Sequence, residues 1–166
     1  MDLRVEPEGW ARWGTRRMRC ALGAAGVRHD KREGDRATPA GVFVMRRLLY
    51  RPDRAAPPPT RLAIAPILSD DGWCDDPADP AYNRPVKLPY RAHAERLWRA
   101  DRLYDLVVVL GHNDDPPVAG AGSAIFLHLA APDYAPTEGC IALAAEDLRG
   151  VLAEADAASR VVVAAR

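Results

Sequence analysis

The 166-residue chain predicts a mainly β domain with two short helices. Three observations predict it. Fifteen prolines and twelve glycines cut the sequence into short pieces separated by turns. The clearest apolar run, YDLVVVLGH at 104–112, is dense in branched residues, as a buried strand requires. The best helical periodicity is confined to 144–156. There Leu148, Val151, Leu152 and Ala155 share one face, and Glu146 and Asp147 occupy the first turn, where the helix dipole favours acids.

The remaining elements follow in order. RMRCAL at 17–22 reads as a short strand, and GVFVMRRLLY at 41–50 as another after the turn chemistry of GDRATPAG. Four prolines hold 51–60 in an extended loop. RLAIAPIL at 61–68 alternates weakly, and Pro66 places it at an edge or a strand end. Residues 69–90 read as a long irregular insert. Its Trp73, Tyr82 and Tyr90 argue against disorder, and a loop of that length in a compact domain is usually functional. AHAERLWRA at 92–100 predicts a short helix; SAIFLHLA at 123–130 predicts a strand beside 104–112; SRVVVAA closes the chain as a strand.

Length and composition set the limits. The chain suits one domain, 1–166, with a core of useful size. Lys plus Arg and Asp plus Glu both number 23, which argues against a nucleic-acid binder and removes any strong electrostatic case for an anionic membrane surface. Apolar runs such as Leu106–Leu110 are far too short to span a bilayer. Residues 1–26 carry charges throughout and lack the apolar core of a signal peptide, which by default points to the cytoplasm. Cys20, Cys74 and Cys140 make no disulfide framework; at most one pair can form.

His128 and Cys140 stand at the two ends of one loop. If 123–129 is a strand and 140–143 begins an antiparallel neighbour, about 5 Å away, the loop brings the two side chains together. A thiol is mostly protonated at neutral pH, and a nearby imidazole can take its proton and leave a nucleophile for an acyl carbon. Gly139 lets backbone approach a substrate. The amides of 139 and 140 become candidate donors to an oxyanion, worth about 3–4 kcal/mol each. Read alone, a cysteine after glycine is more often a small buried residue, and a strand histidine a satisfied core residue.

GSAIFLHLAAPDYAPTEGCIAL, 122–143, resembles the signature of the L,D-transpeptidase (YkuD-type) catalytic domain. In that family a histidine at a strand end is followed by a loop, Ser or Thr, one residue, Gly and the nucleophilic Cys. These positions fall on His128, Thr137, Gly139 and Cys140. KREGDRATPAGVFVM, 31–45, is similar to the family's G…TPxGxF segment. The resemblance thus reaches both halves of the chain and implies an L,D-transpeptidase-like β-sandwich. Departures are Glu138 where a second histidine is common, Leu129 where Gly or Ser is common, Ala142 where Arg or Asn often follows, and a shorter loop. A carboxylate beside a thiol raises its pKa, so Glu138 is expected to point away or to pair with a cation.

The resemblance implies a peptidoglycan acyltransferase. Cys140 would attack a peptide carbonyl of a donor stem, His128 would protonate the leaving part, and a diaminopimelate amine of a second stem would resolve the thioester. A backbone carbonyl near Leu129 would orient the imidazole. Stem peptides are the implied partners, with no cofactor and no metal; a monomer is expected, and the periplasm is expected from the substrate. Family members make diaminopimelate–diaminopimelate links, and a divergent group of short proteins joins L-Ala at stem position one to diaminopimelate at position three. The short loop and Glu138 favour the second group. Two other readings stay open: a cysteine amidase or endopeptidase that hydrolyses muropeptides or wall-attached protein, and an inactive wall-binding module.

Other residues are candidates for substrate contact. His112 ends the 104–112 strand and so could stand near His128. Tyr82, Asn83 and Arg84 in the 69–90 insert could hold a stem carboxylate, with Arg84 as the fork, and wall the groove beside Cys140. Thr137 and Glu138 flank the nucleophile. His29, His93, His112 and His128 are not spaced as a known metal-ligand set, and there is no CxxC or HExxH.

Overall fold

Alternation of buried and exposed residues starts at the first strand, β1 (Asp2–Glu6), where Leu3 and Val5 are buried and Arg4 is exposed. The structure, a computed structural model, describes residues 1–165. The strands β2 (Trp10–Trp13), β3 (Arg16–Ala21), β4 (Val27–Arg28), β5 (Thr38–Pro39), β6 (Gly41–Tyr50) and β7 (Ile64–Pro66) follow. Then come β8 (Asp71–Cys74), β9 (Pro85–Lys87), β10 (Ala94–Arg96), β11 (Leu106–Leu110), β12 (Phe126–Leu129) and β13 (Ile141–Leu143). Helix α1 (Ala145–Glu154) and strand β14 (Arg160–Val163) complete the chain. The fold is mainly β.

The large sheet runs β11–β12–β13–β3–β2–β1–β14–β6–β7. Strand β6 is long enough to serve three partners. Gly41–Val44 pair with β14, Met45–Tyr50 pair with β11, and Leu48–Tyr50 also pair with β7. The β6–β11 pairing closes the sheet into a barrel-like sandwich, which removes most of its free edge. Inside lie Leu3, Val5, Trp13, Met45, Leu48, Leu127, Ile141 and Leu143, sealed by Leu148, Val151 and Leu152 of α1. Each of those three helix side chains contributes about 1.5–3 kcal/mol by leaving water.

Strand β12 divides the molecule. Leu127 and Leu129 face the main core, while Phe126 belongs to a second cluster with Trp73, Tyr104, Val107, Val109 and Cys140. Period-two alternation puts His128 on that second face.

The elements at 17–22, 41–50, 104–112 and 144–156 form where expected, and 123–130 lies beside β11 as expected, in an antiparallel pairing. Four differences matter. The first fifteen residues contribute β1 and β2, for which the sequence reading had no element. The 61–68 segment shrinks to β7, an edge strand that ends on Pro66. Within 69–90 two short strands, β8 and β9, interrupt the irregular stretch, and 92–100 is not a helix. Instead β9, β8 and β10 form a small antiparallel sheet with Ala94, Glu95 and Arg96 opposite Cys74, Trp73 and Gly72. Ladder partners supplied by β8, and burial of Leu97 in the second cluster, outweigh the helix propensity of AHAERLWRA. Among the described residues, α1 is therefore the single α-helix. Finally, β13 runs parallel to β12, not antiparallel. The loop between them carries the chain back to the starting end of β12 before the next strand begins.

Candidate active site

That parallel register builds the site. Leu127, His128 and Leu129 stand opposite Ile141, Ala142 and Leu143. Cys140, directly before β13, therefore lies beside Phe126, on the face that also carries His128. Both residues line one cavity of about 460 Å³. Both are also buried, His128 at 4% and Cys140 at 8% exposure.

The thiol is held by backbone. Cys140 Sγ donates to Ala124 O at 3.2 Å and accepts from Phe126 N at 3.4 Å. Ala124 is itself in the left-handed region, φ 52°. Two threonines grip the carbonyl of Cys140: Thr137 Oγ1 donates at 2.6 Å, and Thr38 Oγ1 at 3.5 Å. Thr38 is the threonine of the TPAGVF segment, so the two motifs that lie far apart in sequence meet on one atom.

Gly139 has a steric role. Its φ is 137°, and a Cβ there would lie 2.8 Å from Ala37 O. Its N–H donates to Thr137 Oγ1 at 3.1 Å, so this amide, expected as an oxyanion donor, is committed to the loop instead. Glu138 is 80% exposed at its side chain and pairs with Arg36 at 3.2 Å, as a carboxylate that avoids the thiol should.

His128 Nδ1 lies 2.9 Å from Leu129 O. A carbonyl can only accept, so Nδ1 carries the proton and Nε2 is the basic nitrogen. Burial pushes the imidazole down to about 4, against the Leu129 carbonyl, which favours the cation; Arg99 adds to the downward push. Burial also pushes the Cys140 thiol up to about 12, assisted by the Glu95 carboxylate. The Phe126 amide, Lys31 and Tyr104 act in the opposite direction. The resting pair is thus thiol and neutral imidazole, not thiolate and imidazolium. A neutral imidazole of this kind is chemically able to accept a proton from a thiol.

Tyr104 links these groups. Its ring meets the His128 ring edge-on at 5.1 Å, its hydroxyl donates to Glu95, and the Arg99 guanidinium sits 5.0 Å from its ring centre. The opposite wall comes from the small sheet and its flanks: Asp75, His93, Glu95 and Arg99 line the cavity, as do Glu33 and Ser123. Ser123 Oγ donates to Glu33 at 2.7 Å. None of Tyr104, Glu95, Glu33, Asp75 or Thr38 was singled out from sequence. Tyr104 could have been, since it heads the strongest strand; the others become visible only when the small sheet is folded.

The structure brings Cys140, His128, Thr137 and Glu138 to one cavity and leaves the other candidates outside it. His112 Nε2 contacts Ala121 O at 3.0 Å and its ring packs on Phe43, anchoring the 113–122 loop. Tyr82 Oη donates to Glu33 and accepts from Gly122 N at 3.0 Å. Buried Asn83 accepts from Trp73 Nε1 at 2.9 Å and Ala124 N at 3.0 Å, and donates to the carbonyls of His112 and Asn113. Tyr82 and Asn83 therefore brace the cavity from behind. Arg84 is exposed. Cys20, Cys74 and Cys140 are all free thiols. No helix among the described residues is long and apolar enough to cross a membrane.

A family model, YkuD, described as the L,D-transpeptidase catalytic domain, matches residues 9–163. No curated protein and no solved structure matches the chain.

Proposed function

The chain belongs to the L,D-transpeptidase catalytic-domain family, and from that premise we propose that it is a cysteine-dependent acyltransferase of peptidoglycan stem peptides. The family's action on the cell wall supports a site of work outside the cytoplasmic membrane, which we read as the periplasm. The observation that carries the reading is that His128 of β12 and Cys140, directly before the parallel neighbour β13, line one cavity, with His128 Nε2 left basic by the Leu129 carbonyl.

Cys140 Sγ attacks the carbonyl of a donor stem while its proton passes to His128 Nε2. The imidazolium then protonates the departing amine, and a thioester remains. An amine of a second stem resolves it. Filling a buried cavity with the acyl chain excludes water and favours amine over hydrolysis. The short 130–139 loop and Glu138, paired outward with Arg36, fit the branch that links L-Ala at position one to diaminopimelate at position three.

The test is intact-mass measurement of the purified protein with stem peptides, and mass spectrometry of the muropeptides formed. A thioester on Cys140 and a cross-linked dimer are expected. Cys140→Ala should form neither while keeping its fold. Hydrolysed monomer without dimer would establish the amidase or endopeptidase reading instead. No adduct on Cys140 would leave the fold as a wall-binding module.

A further inference from the structure

The cavity has a second histidine with a different environment. His93 directly precedes β10, and its Nδ1 lies 2.5 Å from Asp75 Oδ1, just beyond the end of β8. Both residues line the cavity that His128 lines from β12 and Cys140 from just before β13. A carboxylate only accepts, so Nδ1 holds its proton toward Asp75 and Nε2 is the exchangeable nitrogen. The side chain is 80% exposed, so a proton taken there can leave to solvent. His128, enclosed behind the acyl group, has no such path.

The charges around His93 are acidic. Asp75 and Asp76, both following β8, and Glu95 on β10 favour its protonated form, with the Asp75 hydrogen bond the largest cause. Glu33 and Glu95 add carboxylates to the same cavity. An incoming amine arrives as an ammonium of pKa near that of lysine, about 10.4, and must lose a proton before it can attack. An imidazole lowered to about 4 is a weak acceptor for that proton; one raised above 6.5 is a better match.

We propose that His93, held by Asp75, is the base of the second half-reaction and frees the acceptor amine that attacks the Cys140 thioester. The proposal rests on the transferase reading above. The acceptor ammonium gives one proton to His93 Nε2, which passes it to water. The amine nitrogen then bonds to the thioester carbon as the carbon–sulfur bond breaks. The second amine proton travels through His128 to the departing sulfur, restoring the thiol and a neutral imidazole. The carboxylates of Glu33, Asp75 and Glu95 hold the ammonium on entry. The two histidines thus divide the cycle, His128 for acylation and His93 for release to the acceptor.

The experiment follows acyl-enzyme formation and decay separately by rapid-quench intact mass, with a stem-peptide donor and free diaminopimelate as the acceptor, across pH 5–9. His93→Gln should form thioester at the wild-type rate and lose it to the amine about a hundredfold more slowly. Its decay should still rise with pH as the free-amine fraction grows, but without the inflection above 6.5 that titration of His93 adds to the wild-type profile. Asp75→Asn should move that inflection to lower pH. Wild-type decay and pH profile in His93→Gln, with thioester formed normally, would overturn this assignment alone. So would slowed hydrolysis with unchanged aminolysis. Absence of any thioester in the wild-type protein would overturn the transferase reading and this assignment with it.

Discussion

The two walls of the cavity use the same side chain in opposite states. His128 sits on a strand of the closed sheet, is 4% exposed, and is pushed down to about 4 by burial. His93 sits just before β10 of the small sheet, is open to solvent, and is pushed up by Asp75. Neither shift follows from the residue type; both follow from what the fold places around it. One wall is dry and holds neutral groups, including a thiol near 12. The other is wet, acidic and carries cations. A reaction with a nucleophile on one side and an amine on the other needs that asymmetry.

The sharpest way to break the contrast is at His128. His128→Ala should slow thioester formation by at least about a hundredfold, measured as the rate of acyl-enzyme appearance. His112→Phe, which alters a histidine outside the cavity, should have far less effect. The buried state of His128 should also appear in stability. Its folded value of about 4 lies below the ordinary 6.5, so between those values the unfolded chain binds a proton that the folded chain refuses. The stabilisation is complete above 6.5 and is lost as pH falls to about 4, amounting to about 3 kcal/mol. Urea denaturation at a series of pH values reads this, and His128→Ala should flatten that limb. His93, with the opposite shift, contributes with the opposite sign.

A smaller effect tests what holds the walls together. Asn83 joins Trp73 of β8 to the Ala124 amide, and Ala124 O receives the thiol proton. Asn83→Ala leaves the Trp73 indole N–H and the Ala124 N–H without their acceptor. The cost should be about 1–3 kcal/mol for each unmet donor, read by thermal or chemical unfolding, with weaker thioester formation as a secondary loss. The smallest effect is expected at Arg84. It was read from sequence as the fork for a stem carboxylate, but it is exposed and does not line the cavity. Arg84→Ala should leave the ratio of cross-linked to hydrolysed product unchanged by chromatography.

The legible parts of the molecule are those whose signal is local. Leu106–Leu110 announces a buried strand, Leu148, Val151 and Leu152 announce one face of a helix, and the spacing of His128, Thr137, Gly139 and Cys140 announces the family. The parts that stayed hidden depend on partners distant in sequence. The direction of β13 is set by the path of a loop, not by its three residues. Ala94–Arg96 is a strand because β8 lies beside it. The function of Thr38 is readable only once it reaches the carbonyl of a residue 102 positions away. His93 carried no signal beyond failing to match a metal-ligand spacing, since its meaning comes from Asp75 and from the cavity they share.

The two threonines on the Cys140 carbonyl have a consequence for how the protein is born. One clasp lies near the start of the chain and the other beside the nucleophile. The seat of the thiol therefore cannot form on any fragment that lacks either threonine. Until residues 38 and 137–140 have met, Cys140 is an ordinary cysteine.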